Sequence, residues 1–356
     1  MDQFNVYKDM KARTNGEIYI GVVGPVRTGK STFIKRFMNL MVLPNIEDEN
    51  DRNRANDELP QSSSGKTIMT TEPKFVPNEA VSIKTEEGIE LNVRLIDCVG
   101  YMVEGATGHM EGEEERLVKT PWFDYEIPFT KAAAIGTKKV ITEHSTIGVV
   151  VTCDGSFGEI AAKQYEPAEE ETIKQLKALK KPFVVVLLNT IHPYSESTKQ
   201  LAAEKEEKYQ TKVLPMNLEQ MKKEDIYEII KSVLMEFPIS SIGFYVPRWT
   251  EMLKKDHPLK MELLQMARDV ITEKTTMRDI YEEQEKEYEY ITGQKLESVA
   301  MDSGEVVITV KVGDVYYYEF LSETTGMEIR NEYEFIKIMG ELAKKKKELS
   351  LIHISE

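Results

Sequence analysis

The run EIYIGVVGPVRTGKSTFIKRFM, beginning at residue 17, constrains this chain more than any other feature. An apolar stretch ends in Gly24, four residues follow, and then come Gly29, Lys30 and Ser31. Beyond them Phe33, Ile34, Phe37, Met38 and Met41 fall at helical spacing. A buried strand, a glycine-bounded loop and a helix in that order form a phosphate-binding loop. The glycines let successive backbone N–H groups converge on phosphate oxygens, and the helix turns its positive end toward the same anion. Lys30 is placed to reach the β- and γ-phosphates, and the Ser31 hydroxyl to ligate Mg²⁺. The candidate cradle is Gly24, Arg27, Thr28, Gly29, Lys30, Ser31 and Thr32. The bland alternative is a glycine-rich turn with a solvated lysine, and the flanking strand and helix weigh against it.

Further along, LIDCVG ends an apolar run with Asp97 and places Gly100 three residues on. An acid there can hold Mg²⁺ through a water, and the glycine N–H can sense a γ-phosphate. Alone the pattern usually marks a turn, but its place after a phosphate loop favours the functional reading. Between the two motifs, GKTIMTTEP sets Thr70 and Thr71 just before a strand, where a switch threonine meets Mg²⁺ or γ-phosphate. Plain β-propensity is the competing account, and the sequence does not separate the two threonines. Arg27, inside the loop, has the position of an arginine finger in cis, although a solvated side chain is the commoner outcome. Tyr101 and Met102 follow Gly100, so the usual water-positioning glutamine is missing. Slow hydrolysis is expected, or hydrolysis completed by another group or subunit.

The strand FVVVLL runs into Asn189-Thr190-Ile191-His192. A GTP-binding protein has Asn-Lys-x-Asp here, and its Asp accepts two hydrogen bonds from guanine. Lys and Asp are both lost, Asn189 remains as a base-side candidate, and His192 stands where the Asp would be. The chain looks like a GTPase scaffold that no longer selects GTP. The stretch KVLPMN, 212–217, is expected to form the next base-side loop.

The rest of the chain sets the architecture. Strand-like runs are expected near 74–84 and 90–97, then at TIGVVVTCDG and FVVVLL. Pro167 and Glu169–Glu171 read as the first turn of a helix, and Ile226, Ile229, Ile230, Val233, Leu234 and Phe237 as one helical face. Residues 45–72 read as a polar loop and 100–146 as irregular. Alternating strands and helices predict an α/β fold, a P-loop NTPase domain over 1–237 with a mostly parallel sheet covered by helices. Pro238 marks a boundary to a smaller α+β middle domain, 238–356. There, 248–292 reads as charged helix, VVITVKVGDVYYYEF as a hairpin turning at Gly313-Asp314, and NEYEFIKIMGELAKKKKE as an amphipathic helix.

A net charge of −15 disfavours binding to nucleic acid or anionic lipid. Two cysteines, Cys98 and Cys153, supply no disulfide framework and suggest a reducing compartment. There is no signal-peptide pattern and no run of apolar residues long enough to span a membrane. A soluble cytoplasmic protein is the expectation.

GVVGPVRTGKSTFIKRFM, DELPQSSSGKTIMTTEPKFVPNEAVSI, LIDCVGYMVEGA, VKTPWFDYEIPF and VVVTCDGSFGEI together resemble the stage IV sporulation protein A family. These are the spore coat morphogenetic ATPases of endospore-forming bacteria. The resemblance runs to about residue 347. It implies a fold related to translation-factor GTPases that binds and hydrolyses ATP, in line with the altered NTIH. It implies Lys30 as the P-loop lysine, Asp97 as the acid on the Mg²⁺ side, and Thr70 and Thr71 as sensor threonines. It further implies hydrolysis-linked self-assembly into a homopolymer, the basement layer of the spore coat on the mother-cell face of the outer forespore membrane. The implied partners are a small amphipathic membrane-bound peptide and other coat morphogenetic proteins. Family members continue into a C-terminal domain, which LSLIHISE does not resemble, so a truncated end is expected. Two other functions stay open: a GTPase-type regulatory switch, and a non-hydrolysing scaffold stabilised by bound nucleotide.

Overall fold

Valine- and isoleucine-rich runs, buried from end to end, organise the first part of the molecule. The computed structural model describes residues 5–60, 72–85, 89–106, 108–111, 114–156, 160–188, 192–281 and 286–354. The chain divides into two units. One comprises Met1–Pro238 with Thr276–Arg278 and Met301–Gly304; the other comprises Ile239–Thr275, Asp279–Ala300 and Glu305–Glu356.

The helices of the first unit are α1 (Val6–Thr14), α2 (Lys30–Phe37), α3 (Glu49–Asp57), α4 (Phe129–Lys139), α5 (Ala162–Ala178), α6 (Glu196–Tyr209) and α7 (Lys223–Met235). The strands are β1 (Glu17–Val23), β2 (Lys74–Lys84), β3 (Glu90–Asp97), two short ribbons β4 (Met110–Glu111) with β5 (Glu114–Glu115) and β6 (Leu117–Thr120) with β7 (Phe123–Pro128), then β8 (Ile147–Cys153), β9 (Phe183–Leu188) and β10 (Val213–Met216). A six-stranded sheet has the order β10-β9-β8-β1-β3-β2. Five strands are parallel, and β2 closes one edge antiparallel to β3. Every residue of β8 and β9 is buried, as parallel strands covered on both faces require. The helical face read from Ile226 to Phe237 is the buried stripe of α7 as far as Leu234; the helix ends at Met235, and Phe237 is buried just beyond it.

Three readings of this unit are corrected. Residues 45–72 are not all loop, because Asp48 caps α3 by accepting from the Asp51 N–H at 2.9 Å. Residues 100–146 contain α4 and the two ribbons. Finally, Glu169–Glu171 are not in the first turn of α5, which begins at Ala162, five residues before Pro167. Proline removes only one intrahelical bond, and the buried stripe Tyr165, Ala168, Thr172, Leu176 starts upstream of it. Glu169 therefore lies in the body of the helix.

That glutamate is fully buried. It accepts from Thr152 Oγ1 on β8 at 2.6 Å and from Lys205 Nζ on α6 at 2.7 Å. The pair ties two helices to the central sheet. Glu169→Ala leaves a lysine charge without its partner and is expected to destabilise the unit by about 3 kcal/mol in urea unfolding. A loss below about 1 kcal/mol would mean that Lys205 swings out to water instead.

The second unit holds β11 (Ser241–Tyr245), α8 (Pro258–Glu273), β12 (Ile291–Ala300), β13 (Glu305–Val312), α9 (Asp314–Thr325) and α10 (Glu332–Ile354). Its sheet has the order β11-β13-β12. The expected hairpin at Gly313-Asp314 is not formed. β13 pairs antiparallel with the preceding β12, and the chain after Gly313 enters α9. Tyr317 and Phe320, three residues apart, both pack on Trp249 with centroids 5.6 Å away, a contact that helical spacing provides. Within 248–292, α8 is the one α-helix among the described residues, and the stretch ends in strand. Among the described residues, no helix is long and apolar enough to cross a membrane.

Candidate nucleotide-binding site

Five parallel strands deliver the loops that follow them to one edge of the sheet, where α/β proteins bind ligands. The loop after β1 is Gly24–Gly29, and β3 ends at Asp97, level with Val22 of β1. At Gly24 and Gly100 a side chain has no room. Gly24 has φ +131°, and a Cβ there would lie 2.4 Å from the Val151 carbonyl oxygen. Gly100 has φ +93°, and its Cβ would lie 2.1 Å from the Gly24 carbonyl oxygen and 2.7 Å from Lys30 Nζ. The segment after Asp97 thus rests directly on the phosphate loop.

Gly29 is the N-cap of α2 and contributes no side-chain cap, so the first-turn N–H groups have no side chain closing over them. Lys30 and Thr28 are buried, and both donate to the Pro25 carbonyl, at 2.5 and 3.0 Å. Ser31 Oγ donates to Asp97 Oδ2 at 2.5 Å, while Asp97 Oδ1 is buried with no hydrogen-bond partner. Val26 N–H donates to the Tyr101 carbonyl at 3.0 Å, which fastens the chain after Gly100 to the loop.

The electrostatics follow from this burial. Desolvation pulls the Lys30 ammonium below the ordinary lysine range, with Cys98 and Asp97 opposing. Desolvation pushes the Asp97 carboxyl up, against the Ser31 hydrogen bond and the Lys30 charge. Burial likewise pushes the Cys98 thiol to about 11. A carboxyl whose pKa rises on folding favours the fold while protonated and loses that contribution as pH climbs through its folded-state value. At neutral pH the Asp97 charge therefore costs stability. Asp97→Asn is expected to leave the nucleotide-free protein at least as stable at pH 7.5, with the advantage shrinking as pH falls toward 4. Urea midpoints at the two pH values check this, and a variant clearly less stable at pH 7.5 contradicts it.

The structure brings together Gly24, Thr28, Gly29, Lys30, Ser31, Asp97 and Gly100. Arg27 is exposed, with φ 62°, and Thr32 is exposed on the first turn of α2. Thr70, Thr71 and Asn189 lie outside the described residues. His192 is exposed. The stretch 212–217 is mostly strand β10, so only Asn217 onward forms the loop. Tyr101, where a water-positioning glutamine was missing, packs against the apolar cluster containing Val26, Cys153 and Tyr165. Its phenol is buried and raised by desolvation. Two arrangements escaped the sequence reading: the Tyr101 carbonyl on Val26, and Arg36 of α2, which donates to the Leu218 and Glu219 carbonyls. A main-chain acceptor has no residue signature. Arg36 stands beside Lys35 in α2, and no residue pattern separates the two.

A phosphate loop between β1 and α2, an acid at the end of β3 and a mostly parallel sheet define a P-loop nucleotide-binding protein. The profile of the stage IV sporulation protein A ATPase domain matches residues 1–238, and that of its middle domain residues 239–355. The chain is 47% identical over 350 residues to stage IV sporulation protein A of Clostridioides difficile (strain 630), covering 98% of this chain and 71% of that one. It is 45% identical over 345 residues to the Bacillus anthracis protein of the same name, covering 96% and 70%. With the Bacillus subtilis (strain 168) protein it shares 44% over 350 residues, covering 98% and 71%. The chain belongs to the stage IV sporulation protein A family and is a sporulation protein with an ATPase domain. Translation elongation factor SelB of Methanococcus maripaludis, in complex with the GTP analogue GppNHp, matches with TM-score 0.35 and 13% identity over 64% of this chain and 35% of that one, too loosely to say anything further.

Proposed function

We propose that residues 1–237 bind ATP and hydrolyse it slowly to ADP and phosphate with Mg²⁺, and that residues 238–356 form a middle domain acting with them. The observation that carries this is the meeting of the Lys30 ammonium, the Ser31 hydroxyl and the Asp97 carboxylate at the open end of α2. The residues suit the ligand. Lys30 is a buried cation whose desolvation an anionic phosphate would offset. Asp97 Oδ1 is a buried oxygen lacking a partner beside a hydroxyl, the hard donor set that Mg²⁺ takes.

Ser31 and Asp97 would hold the cation, with Thr70 or Thr71 added from the segment before β2. A cation held there would supply positive charge against the phosphates. Lys30 exchanges the Pro25 carbonyl for phosphate oxygens, and the backbone N–H groups of Thr28 to Thr32 orient the chain of phosphates. Gly100, resting on Lys30, offers its N–H as the sensor of the terminal phosphate. Arg27, exposed on the loop, adds positive charge at its mouth. No side chain from Tyr101 takes the glutamine's place in orienting water, which supports slow turnover.

Hydrolysis in this reading drives a conformational change for self-assembly into the basement layer of the spore coat, at the mother-cell face of the forespore. A membrane-bound amphipathic peptide and other coat proteins are the partners. Membership of a sporulation family with an ATPase domain supports this. Phosphate release from ATP should require Mg²⁺ and fall about tenfold or more in Ser31→Ala, on the scale of one lost charge-assisted contact. Full turnover in excess chelator would sink the metal-dependent reading.

A further inference from the structure

Arg36 sits six residues beyond Lys30 on the same helix, so the two are about 9 Å apart along its axis. Its guanidinium spans two consecutive carbonyls of the loop after β10, with Nε to Leu218 O at 3.0 Å and Nη2 to Glu219 O at 2.9 Å. The planar guanidinium presents both donors in one fixed fork. That loop leaves the sheet at its carboxyl edge, because Met216 of β10 pairs with Leu188 at the end of β9.

The loop does not need Arg36 to hold its own shape. Asn217 Oδ1 accepts from the Glu219 N–H at 2.9 Å, Gln220 N–H donates to the Asn217 carbonyl at 3.2 Å, and Leu218 and Met221 are buried in the core. What the fork adds is registration. It fixes the loop against the one helix whose first turn is the phosphate cradle. The distance from phosphates to anything bound at that loop is then set by a rigid helix and two charge-assisted bonds.

We propose that Arg36 positions the Asn217–Met221 loop as the base-side wall of the nucleotide site, and so sets the discrimination between purine triphosphates. This rests on the nucleotide-site reading above. Arg36 touches no ligand in this scheme; it acts through the Leu218 and Glu219 backbone. Since the Asp that reads guanine is absent from NTIH, main-chain groups held at a fixed height offer a means of telling one purine from another.

The test uses the full chain and its Arg36→Lys and Arg36→Ala variants. Equilibrium binding of ribose-labelled fluorescent ATP and GTP is measured, with inorganic tripolyphosphate as a base-free competitor and thermal unfolding without nucleotide as the check on folding. Arg36→Ala should weaken ATP about tenfold, the scale of one lost charge-assisted contact, and bring the ATP-to-GTP affinity ratio toward one. Tripolyphosphate affinity should stay within about twofold, because the cradle is untouched. Arg36→Lys should fall between the two, since an ammonium replaces only part of the fork. An unchanged ATP-to-GTP ratio in both folded variants overturns the proposal. If the unaltered protein binds neither triphosphate nor tripolyphosphate, the nucleotide-site reading itself fails, which is a separate result. If Arg36→Ala does not fold, amide hydrogen exchange of 217–221 in the unaltered protein decides. ATP should protect these amides and tripolyphosphate should not, and equal effects of the two overturn the proposal.

Discussion

Lys30→Met is expected to cut ATP turnover by about 10²–10³-fold, the range for removing one preorganised charge-stabilising group, while the nucleotide-free protein stays as stable as before or more so. Both halves follow from one fact, that the ammonium is buried against a carbonyl rather than an acid. Burial holds its pKa below the ordinary lysine value. The unfolded chain then holds that proton more tightly than the folded one, and stability rises with pH until the unfolded value is passed. At neutral pH the charge is a cost that the fold carries without ligand and that a bound phosphate offsets. Methionine keeps most of the stem's volume and drops the charge. Phosphate release and urea unfolding, measured on the same preparation, check the two halves together. A variant that loses activity because it unfolds would contradict this account of Lys30, and so would one that keeps its turnover.

The second large effect is expected from Gly100→Ala. Alanine must adopt φ +93° there, and its methyl would lie 2.1 Å from a backbone oxygen of the phosphate loop that cannot rotate away. The segment has to lift, which breaks the bond from Val26 N–H to the Tyr101 carbonyl and moves Tyr101 from its apolar cluster. Nucleotide affinity should survive within a few-fold, since the lifted segment clears Lys30 Nζ and the α2 N-terminus keeps its own backbone. Turnover should fall by about 10²-fold, because the sensing N–H can no longer reach the terminal phosphate. Rates and binding constants measured side by side separate this from a folding defect. Equal losses in affinity and turnover would mean that Gly100 shapes the cradle and senses nothing.

Much of this was legible in the residues because local chemistry and tertiary position coincide. The phosphate loop has one geometry that works, and GPVRTGKS supplies the glycines, lysine and serine at its spacing. The strands at 147–153 and 183–188 were legible because buried parallel strands are continuous apolar runs, and those near 74–84 and 90–97 because apolar residues recur through half-buried strands. Where two periods fit, the reading failed. VYYYEF suits a strand or a helix, and Trp249, far away in the chain, decides for the helix. Pro167 was read as a start signal because proline favours the first turn, yet the stripe from Tyr165 extends the helix ahead of it. The polar stretch at 49–57 hid a helix that rests on an aspartate cap and one buried alanine, Ala55. At the site, side-chain chemistry was readable but main-chain chemistry was not. Nothing in the letters signals that the Pro25 carbonyl receives two donors, or that Leu218 and Glu219 are gripped by Arg36.

Phosphate release from ATP and from GTP, measured in parallel with Mg²⁺ over a range of protein concentrations, tests the central claim most directly. Slow release from ATP, little from GTP and none from Lys30→Met is the predicted result. A rate per molecule that climbs with concentration would add that a second copy completes the site. Preference for GTP, or release that ignores Lys30→Met, would contradict an ATPase built on this phosphate loop.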